Sequence, residues 1–404
     1  MSWAIGANDV ANAMGTSVGS RSITIRQAIL IAAIFEALGA FSASGQVTET
    51  LRQGIVNVEI FQDRPMVLVI GMLSALFASA TWLIIATYRG WPVSTTHTVV
   101  GAIIGFALLT VKLSQINWFV ILRIASSWVF TPLLAAFAAY MLFRSVYRYV
   151  LAAVEPRLAA RKWLPVYVFS AVFVTMLVTI FQGLEPLGYR VEIMPTLIFS
   201  TVVSLSLSIL FRQLLEQNYL EENTDDLFDF AFVESSFGVL TVFTACAMAF
   251  AHGSNDIANA IGPLVAIVDI LVDHRISIDS APIPIWIVGL GSAGVVSGLA
   301  MYGYRIMDTV GVKITPLTPS RSFSAQLSTA LIVILASGVG LPVSTTQTLV
   351  GAVLGVGFAR GIGALNLNVV KSIFVSWLVT LPCGAILAIF YFQLISGMVL
   401  WLGL

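Results

Sequence analysis

The sequence predicts an all-α polytopic membrane protein. Its expected architecture is two inverted-topology repeats with discontinuous half-helices, about 10–12 membrane segments in all. Three observations lead there: a composition too apolar for water, a series of long uncharged runs, and a set of motifs that occurs twice. Of 404 residues, 58% are hydrophobic and 10% are charged, whereas soluble domains are about one quarter charged. The charges balance, 20 basic against 20 acidic. Lys and Arg are not clustered as a nucleic-acid footprint would be, so no nucleic-acid partner is expected. The partner implied instead is the lipid bilayer, with a multi-pass location in the plasma (inner) membrane. Cys246 and Cys383 sit in apolar stretches and read as reduced packing residues.

The apolar runs follow in order. A helix needs about 20 mostly apolar residues to cross the hydrocarbon core. Gln27–Leu51 is interrupted only by Glu36 and Glu49. Met66–Tyr88, Gly90–Val111, Ile124–Phe143, Trp163–Leu184 and Ile193–Phe211 come next, then Ser235–Asn255, Ser280–Tyr304, Ser322–Ala359 and Ser372–Leu404. The run Ser322–Ala359 is too long for one span and breaks at Gly338–Pro342. The runs do not alternate as barrel strands would, so helices are the spanning element. Between Arg144 and Lys162 stand five basic residues and one acidic, which predicts a cytoplasmic loop. Two spans later, Glu216–Glu234 carries seven acidic residues and no basic one. It reads as a solvated connector on the same side.

The repeat is explicit. Residues 6–13 read GANDVANA and 253–260 read GSNDIANA; residues 92–101 read PVSTTHTVVG and 342–351 read PVSTTQTLVG. A weaker third pair is Ser127-Trp128 with Pro132, and Ser376-Trp377 with Pro382. Three motifs in one order at offsets near 250 residues mark a duplication. The predicted units are residues 1–142 (first repeat), 143–236 (two-helix insert with the charged loops) and 237–404 (second repeat). The helix after the first PVSTT ends in the basic loop, while its counterpart carries no charge after Lys371. The copies are therefore expected in opposite orientations, as in secondary transporters whose site lies between inverted repeats. Only five residues precede GAND, against about 14 apolar ones before GSND, which predicts a leading segment upstream of Met1.

Polar side chains inside apolar runs are costly and point to function. Asn8, Asp9 and Asn12 share one helical face, as do Asn255, Asp256 and Asn259. The glycine before each motif is expected to permit an unwound turn. With carbonyl, carboxylate and amide oxygens, such a turn makes a hard-cation site. Interhelical packing by the Asn residues is the plain alternative. Ser94, Thr95 and Thr96, and Ser344, Thr345 and Thr346, follow a proline that starts a helix. Hydroxyls beside the free amides of a helix N-terminus hold an oxyanion without a basic side chain. Their plain alternative is capping and bonding back to their own helix. Glu36 either holds a cation or pairs with an arginine. His97 corresponds to Gln347 in the other copy, so a symmetric imidazole relay is not expected. His252 directly precedes the second motif, and His274 falls in a polar loop. No His/Cys cluster with ligand spacing is visible, so no transition-metal site is expected. Nor is there a nucleophile–base pair or P-loop, so the chain is not expected to be an enzyme or to carry a cofactor.

At these residues the sequence resembles the inorganic phosphate transporter (PiT) family. Both copies of GxNDxANA and both PVSTT segments carry the resemblance, which covers almost the whole chain. It implies symport of inorganic phosphate with Na⁺ as coupling ion, or with H⁺. It further implies cation binding at Asp9 and Asp256 and phosphate binding at the Ser/Thr segments. On this reading the sodium-site residues are Asn8, Asp9, Asn255, Asp256 and Glu36. The phosphate-site residues are Ser94, Thr95, Thr96, Ser344, Thr345, Thr346, Asn12 and Asn259. The family carries a functional glutamate at the place of Glu36. In the second copy this sequence has Gln326 where the family has another. A sulfate carrier, an anion channel and a homo-oligomeric state all remain compatible with the sequence.

Overall fold

The computed structural model describes residues 1–183, 192–219, 226–273 and 283–402. His274 and Leu184 lie outside the described residues, as does part of the acidic stretch, residues 220–225. The described chain is nearly all helix. Eight helical stretches among the described residues are long and apolar enough to cross a membrane. The protein is a multi-pass membrane protein.

The helices begin with α1 (Ser2–Ile5), a π-helical turn at Gly6–Val10 and α2 (Ala11–Gly19). Next come α3 (Ile25–Ala43), α4 (Gly45–Glu49) and a π-helical turn at Thr50–Gly54. Then follow α5 (Pro65–Tyr88), α6 (Thr95–Thr110) and α7 (Trp118–Val146). After them come α8 (Pro156–Gly183) and α9 (Ile193–Tyr219). Then follow α10 (Asp226–Asp256), α11 (Ala258–Asp273), α12 (Ile285–Tyr302) and α13 (Tyr304–Asp308). A π-helical turn at Thr309–Lys313 leads to α14 (Pro319–Ser337), α15 (Thr345–Arg360) and α16 (Leu367–Leu402).

Local chemistry sets the boundaries. Thr24 and Gln27 form a capping box at the start of α3, and prolines occupy the first turns of α5 and α14. The expected span Gly90–Val111 is shorter than predicted. Its first residues are non-helical, and a helix of 16 residues begins at Thr95. Gln27–Leu51 likewise divides, at Ser44, into α3 and α4. The predicted break in Ser322–Ala359 is present between Ser337 and Thr345. Both non-helical segments turn on a glycine in the left-handed region, Gly90 at φ 67° and Gly340 at φ 68°.

The repeats embrace. Helix α6 packs on α16, and α15 packs on α7. Each contact runs along a G-x-x-x-G stripe, which lets backbones approach closely. Gly101 and Gly105 lie against the backbone at Leu381 and Ala385, and Gly351 and Gly355 against Pro132 and Ala136. The two seams thus carry equivalent glycine contacts between the halves. The predicted unwinding at Gly6 and Gly253 is not found, since both lie in helical turns. Their role is close approach: a Cβ at Gly6 would strike Val295, and one at Gly253 would strike the Glu36 backbone.

Candidate functional site

Two non-helical segments and two Asn-Asp turns converge in the interior. Asn8 holds the first segment. Its amide donates to Thr87 Oγ1 (3.0 Å) and Trp91 O (3.1 Å), and its carbonyl accepts from Val93 N (3.2 Å). Asn255 does the same for the second, donating to Ser337 Oγ (2.8 Å) and Leu341 O (3.4 Å). Both amides therefore position the backbone that leads into α6 and α15.

The carboxylates meet the threonines. Asp9 is 1% exposed. It accepts from Thr95 Oγ1, from Thr95 N at 3.4 Å, and across the repeat boundary from Thr346 Oγ1 at 3.0 Å. Asp256, fully buried, accepts from Thr345 Oγ1 at 2.5 Å and from Asn259 Nδ2 at 3.2 Å. Thr96 Oγ1 donates to Val343 O (2.9 Å) while Thr346 Oγ1 lies 3.2 Å from Val93 O, so each repeat's hydroxyl reaches the other's extended segment. Ser94 and Ser344 act as N-caps, accepting from His97 N and Gln347 N at 3.2 Å each. The capping alternative thus accounts for the two serines, whereas Thr95 and Thr345 reach the carboxylates of their own half and Thr96 and Thr346 reach across to the other.

One side of the site carries more charge. His252 Nε2 lies 2.9 Å from Asp256 Oδ2, and its Nδ1 lies 3.2 Å from Glu36 Oε1. Glu36 therefore pairs with a histidine rather than an arginine. One ligand atom each from Asp9, His252 and Asp256 falls within a 4.8 Å cluster, a geometry that could hold a metal ion. Sequence spacing conceals this cluster because its members come from motifs about 250 residues apart. Asn255 Oδ1 and Asn259 Oδ1 are buried with no hydrogen-bond donor, which suits a cation or a donor ligand. Of the predicted residues, only the side chain of Asn12 lies outside the described ones. Its backbone is in α2.

Glycine contacts identify the true counterparts. Gly253 packs on Glu36 as Gly6 packs on Val295, and Gly39 packs on Phe250 as Gly298 packs on Trp3. Val295 is therefore the positional partner of Glu36, and Gln326 is not. Gln326 lies deep in α14, donating to Thr16 Oγ1 (2.8 Å) and Ser17 Oγ and accepting from Thr244 Oγ1 (2.9 Å). By the same register Ile5 stands where the second copy has His252. The Glu36–His252–Asp256 array has no mirror image.

A family model described as the phosphate transporter family matches residues 5–388. The chain belongs to the phosphate transporter family. An Arabidopsis thaliana member, inorganic phosphate transporter 2-1 (chloroplastic), is 41% identical over 408 residues, covering 97% of this chain and 70% of that one. A Haemophilus influenzae relative, a putative phosphate permease, is 49% identical over 395 residues, covering 98% of this chain and 94% of its own. The solved structure of a sodium-dependent phosphate transporter superposes with TM-score 0.89 at 37% identity, covering 98% of this chain and 96% of that one. These are transporters and not enzymes, as the sequence predicts for this chain.

Proposed function

We propose that this chain carries inorganic phosphate across the membrane by sodium-driven symport, alternating access around a mid-membrane site between repeats of opposite orientation. Residues 1–142 and 237–404 form the repeats, and 143–236 the insert. One observation carries the reading: Asp9 and Asp256 are hydrogen-bonded to the threonine hydroxyls that start α6 and α15. Each hydroxyl has one proton and can donate to a carboxylate or to an anion, not to both. A cation on the carboxylate occupies the same lone pairs and turns the hydroxyl toward phosphate. It also offsets the anion's charge where Lys and Arg are absent from the sequence motifs. Cation and anion affinities then rise together, as linkage requires. The hard-oxygen set of Asn8, Asp9, Asn255, Asp256 and Glu36 favours Na⁺, and the likeness to a solved sodium-dependent phosphate transporter supports that choice. Thr95, Thr96, Thr345 and Thr346 belong to the phosphate side with Asn259 and, by its place in the motif, Asn12. Ser94 and Ser344 cap the two helices.

A second reading, proton coupling, is favoured by one contact: His252 bridges Glu36 and Asp256 at 3.2 and 2.9 Å. Phosphate uptake into proteoliposomes, with sodium and proton gradients varied independently, separates the two. Uptake that follows the sodium gradient and survives a protonophore supports sodium. Uptake that ignores sodium and collapses with the protonophore overturns it. Sulfate competition tests the anion, and accumulation against a phosphate gradient excludes a channel.

A further inference from the structure

The π-helical turns at Thr50–Gly54 and Thr309–Lys313 are counterparts, each touching the extended segment of the opposite repeat. Thr50 Oγ1 donates to Gly340 O (2.8 Å), and Thr309 Oγ1 donates to Gly90 O (3.2 Å). Thr50 and Thr309 are 259 residues apart, the same separation as Glu36 and Val295. In that register Arg52 corresponds to Gly311. Behind each turn stands the helix that follows an Asn-Asp motif, α11 behind the first and α2 behind the second.

The two backings differ in kind. Arg52 is 4% exposed, and its Nη2 lies 2.7 Å from Asp269 Oδ2 in α11. Its Nη1 lies 3.5 Å from Glu49 Oε2, at the end of the preceding helix α4. On the other side Gly311 lies backbone to backbone against Gly15 and Gly19 of α2, and Ser22 stands where Asp269 would be. The ion pair near there, Lys313 with Asp308 at 2.8 Å, is half exposed and does not cross to α2. A buried pair is costly to break from one end because it leaves an uncompensated charge. An exposed one contributes little.

We propose that the Arg52–Asp269 pair is a positioning element that holds the Thr50–Gly54 turn against the Gly340 segment on one face only, so that the two equivalent faces of the site open with unequal ease. The inference rests on the alternating-access reading, but it concerns accessibility and is measurable without phosphate. The pair acts on the site through Thr50 and Gly340.

The test uses the full-length protein in proteoliposomes, with Cys246→Ser and Cys383→Ser as background. Single reporters Leu341→Cys and Trp91→Cys are placed beside the two contacts, and their reaction with a membrane-permeant maleimide is timed. Arg52→Gln and Asp269→Asn should each speed labelling at position 341 on the order of tenfold, a typical coupling between linked states, and leave position 91 within about twofold. Asp269→Glu keeps the charge and should keep the parent rate. Thr50→Val, which keeps the ion pair and loses the hydroxyl's bonds to Gly340 O and to Gln46 O one turn back in its own helix, should also act at 341 alone. Should Arg52→Gln fail to fold, Thr50→Val with its mirror Thr309→Val, acting at 91 alone, carries the test. Equal acceleration at both reporters makes the pair a general fold element and overturns the proposal, as does no change at either. Loss of phosphate transport with the labelling pattern intact would instead strike the functional reading.

Discussion

Replacing Asp9 by asparagine isolates the charge at the centre of the proposed coupling. Asp9 accepts from two threonine hydroxyls and one backbone amide, including the 3.0 Å contact from Thr346 of the other repeat. Asparagine has the same shape, and threonine hydroxyls rotate to accept as readily as to donate. The local geometry should therefore survive while one negative charge is lost. Contacts to a charged group are worth about 1.5–3 kcal/mol, against about 1 kcal/mol for a neutral pair. Loss of one carboxylate–cation contact then corresponds to roughly a 10- to 150-fold rise in the sodium needed for half-maximal uptake. The phosphate KM at saturating sodium should move by no more than about threefold, since the donors remain. Radiolabelled phosphate uptake across a sodium series reads both numbers, and gel filtration confirms folding. A parental sodium curve for Asp9→Asn, or a loss confined to phosphate KM at every sodium concentration, refutes the argument.

Other substitutions test the supporting parts. Asn8→Ala removes three hydrogen bonds that hold residues 87–93. It should cost about 2–3 kcal/mol, read as a lower melting temperature in detergent, and raise phosphate KM about tenfold. Ser344→Ala removes the N-cap of α15; about 1 kcal/mol of stability should go, with KM within about fivefold. Gly351→Ala drives a Cβ into the Pro132 backbone and should abolish folded protein on gel filtration, whereas Gly363→Ala meets open space and should be silent.

The helical class, the duplication and both motif pairs were legible because each is local: apolar runs longer than a bilayer, and short strings repeated almost verbatim. The same locality hid three things. Gly101-x-x-x-Gly105 and Gly351-x-x-x-Gly355 are visible in sequence, but only the partner backbones at Leu381 and Pro132 reveal them as the seams between repeats. The serines and threonines of PVSTT are alike as sequence, and the fold alone separates the capping Ser94 and Ser344 from the threonines that reach Asp9 and Asp256. The symmetry of the repeats is also less regular than their motifs. The motif pairs lie 247 and 250 residues apart, whereas the helix pair α3 and α12 matches at 259, because the connections between blocks differ in length. A single offset near 250 carries Glu36 to the neighbourhood of Trp286, so it matches Glu36 neither to Val295 nor to Gln326. Matched correctly, the duplicated site has one half built from Asp9, Ile5 and Val295 and another from Asp256, His252 and Glu36. On the proposed reading the two carboxylates stand in inequivalent surroundings, so Asp9→Asn and Asp256→Asn should have unequal effects. Neutralising Asp256 leaves His252 and Glu36 to compensate each other at 3.2 Å. Neutralising Asp9 leaves in the shared cluster only Asp256, already paired with His252 at 2.9 Å, so the larger shift in sodium dependence should fall on Asp9→Asn, measured in the same uptake series; a larger shift for Asp256→Asn would refute the ranking.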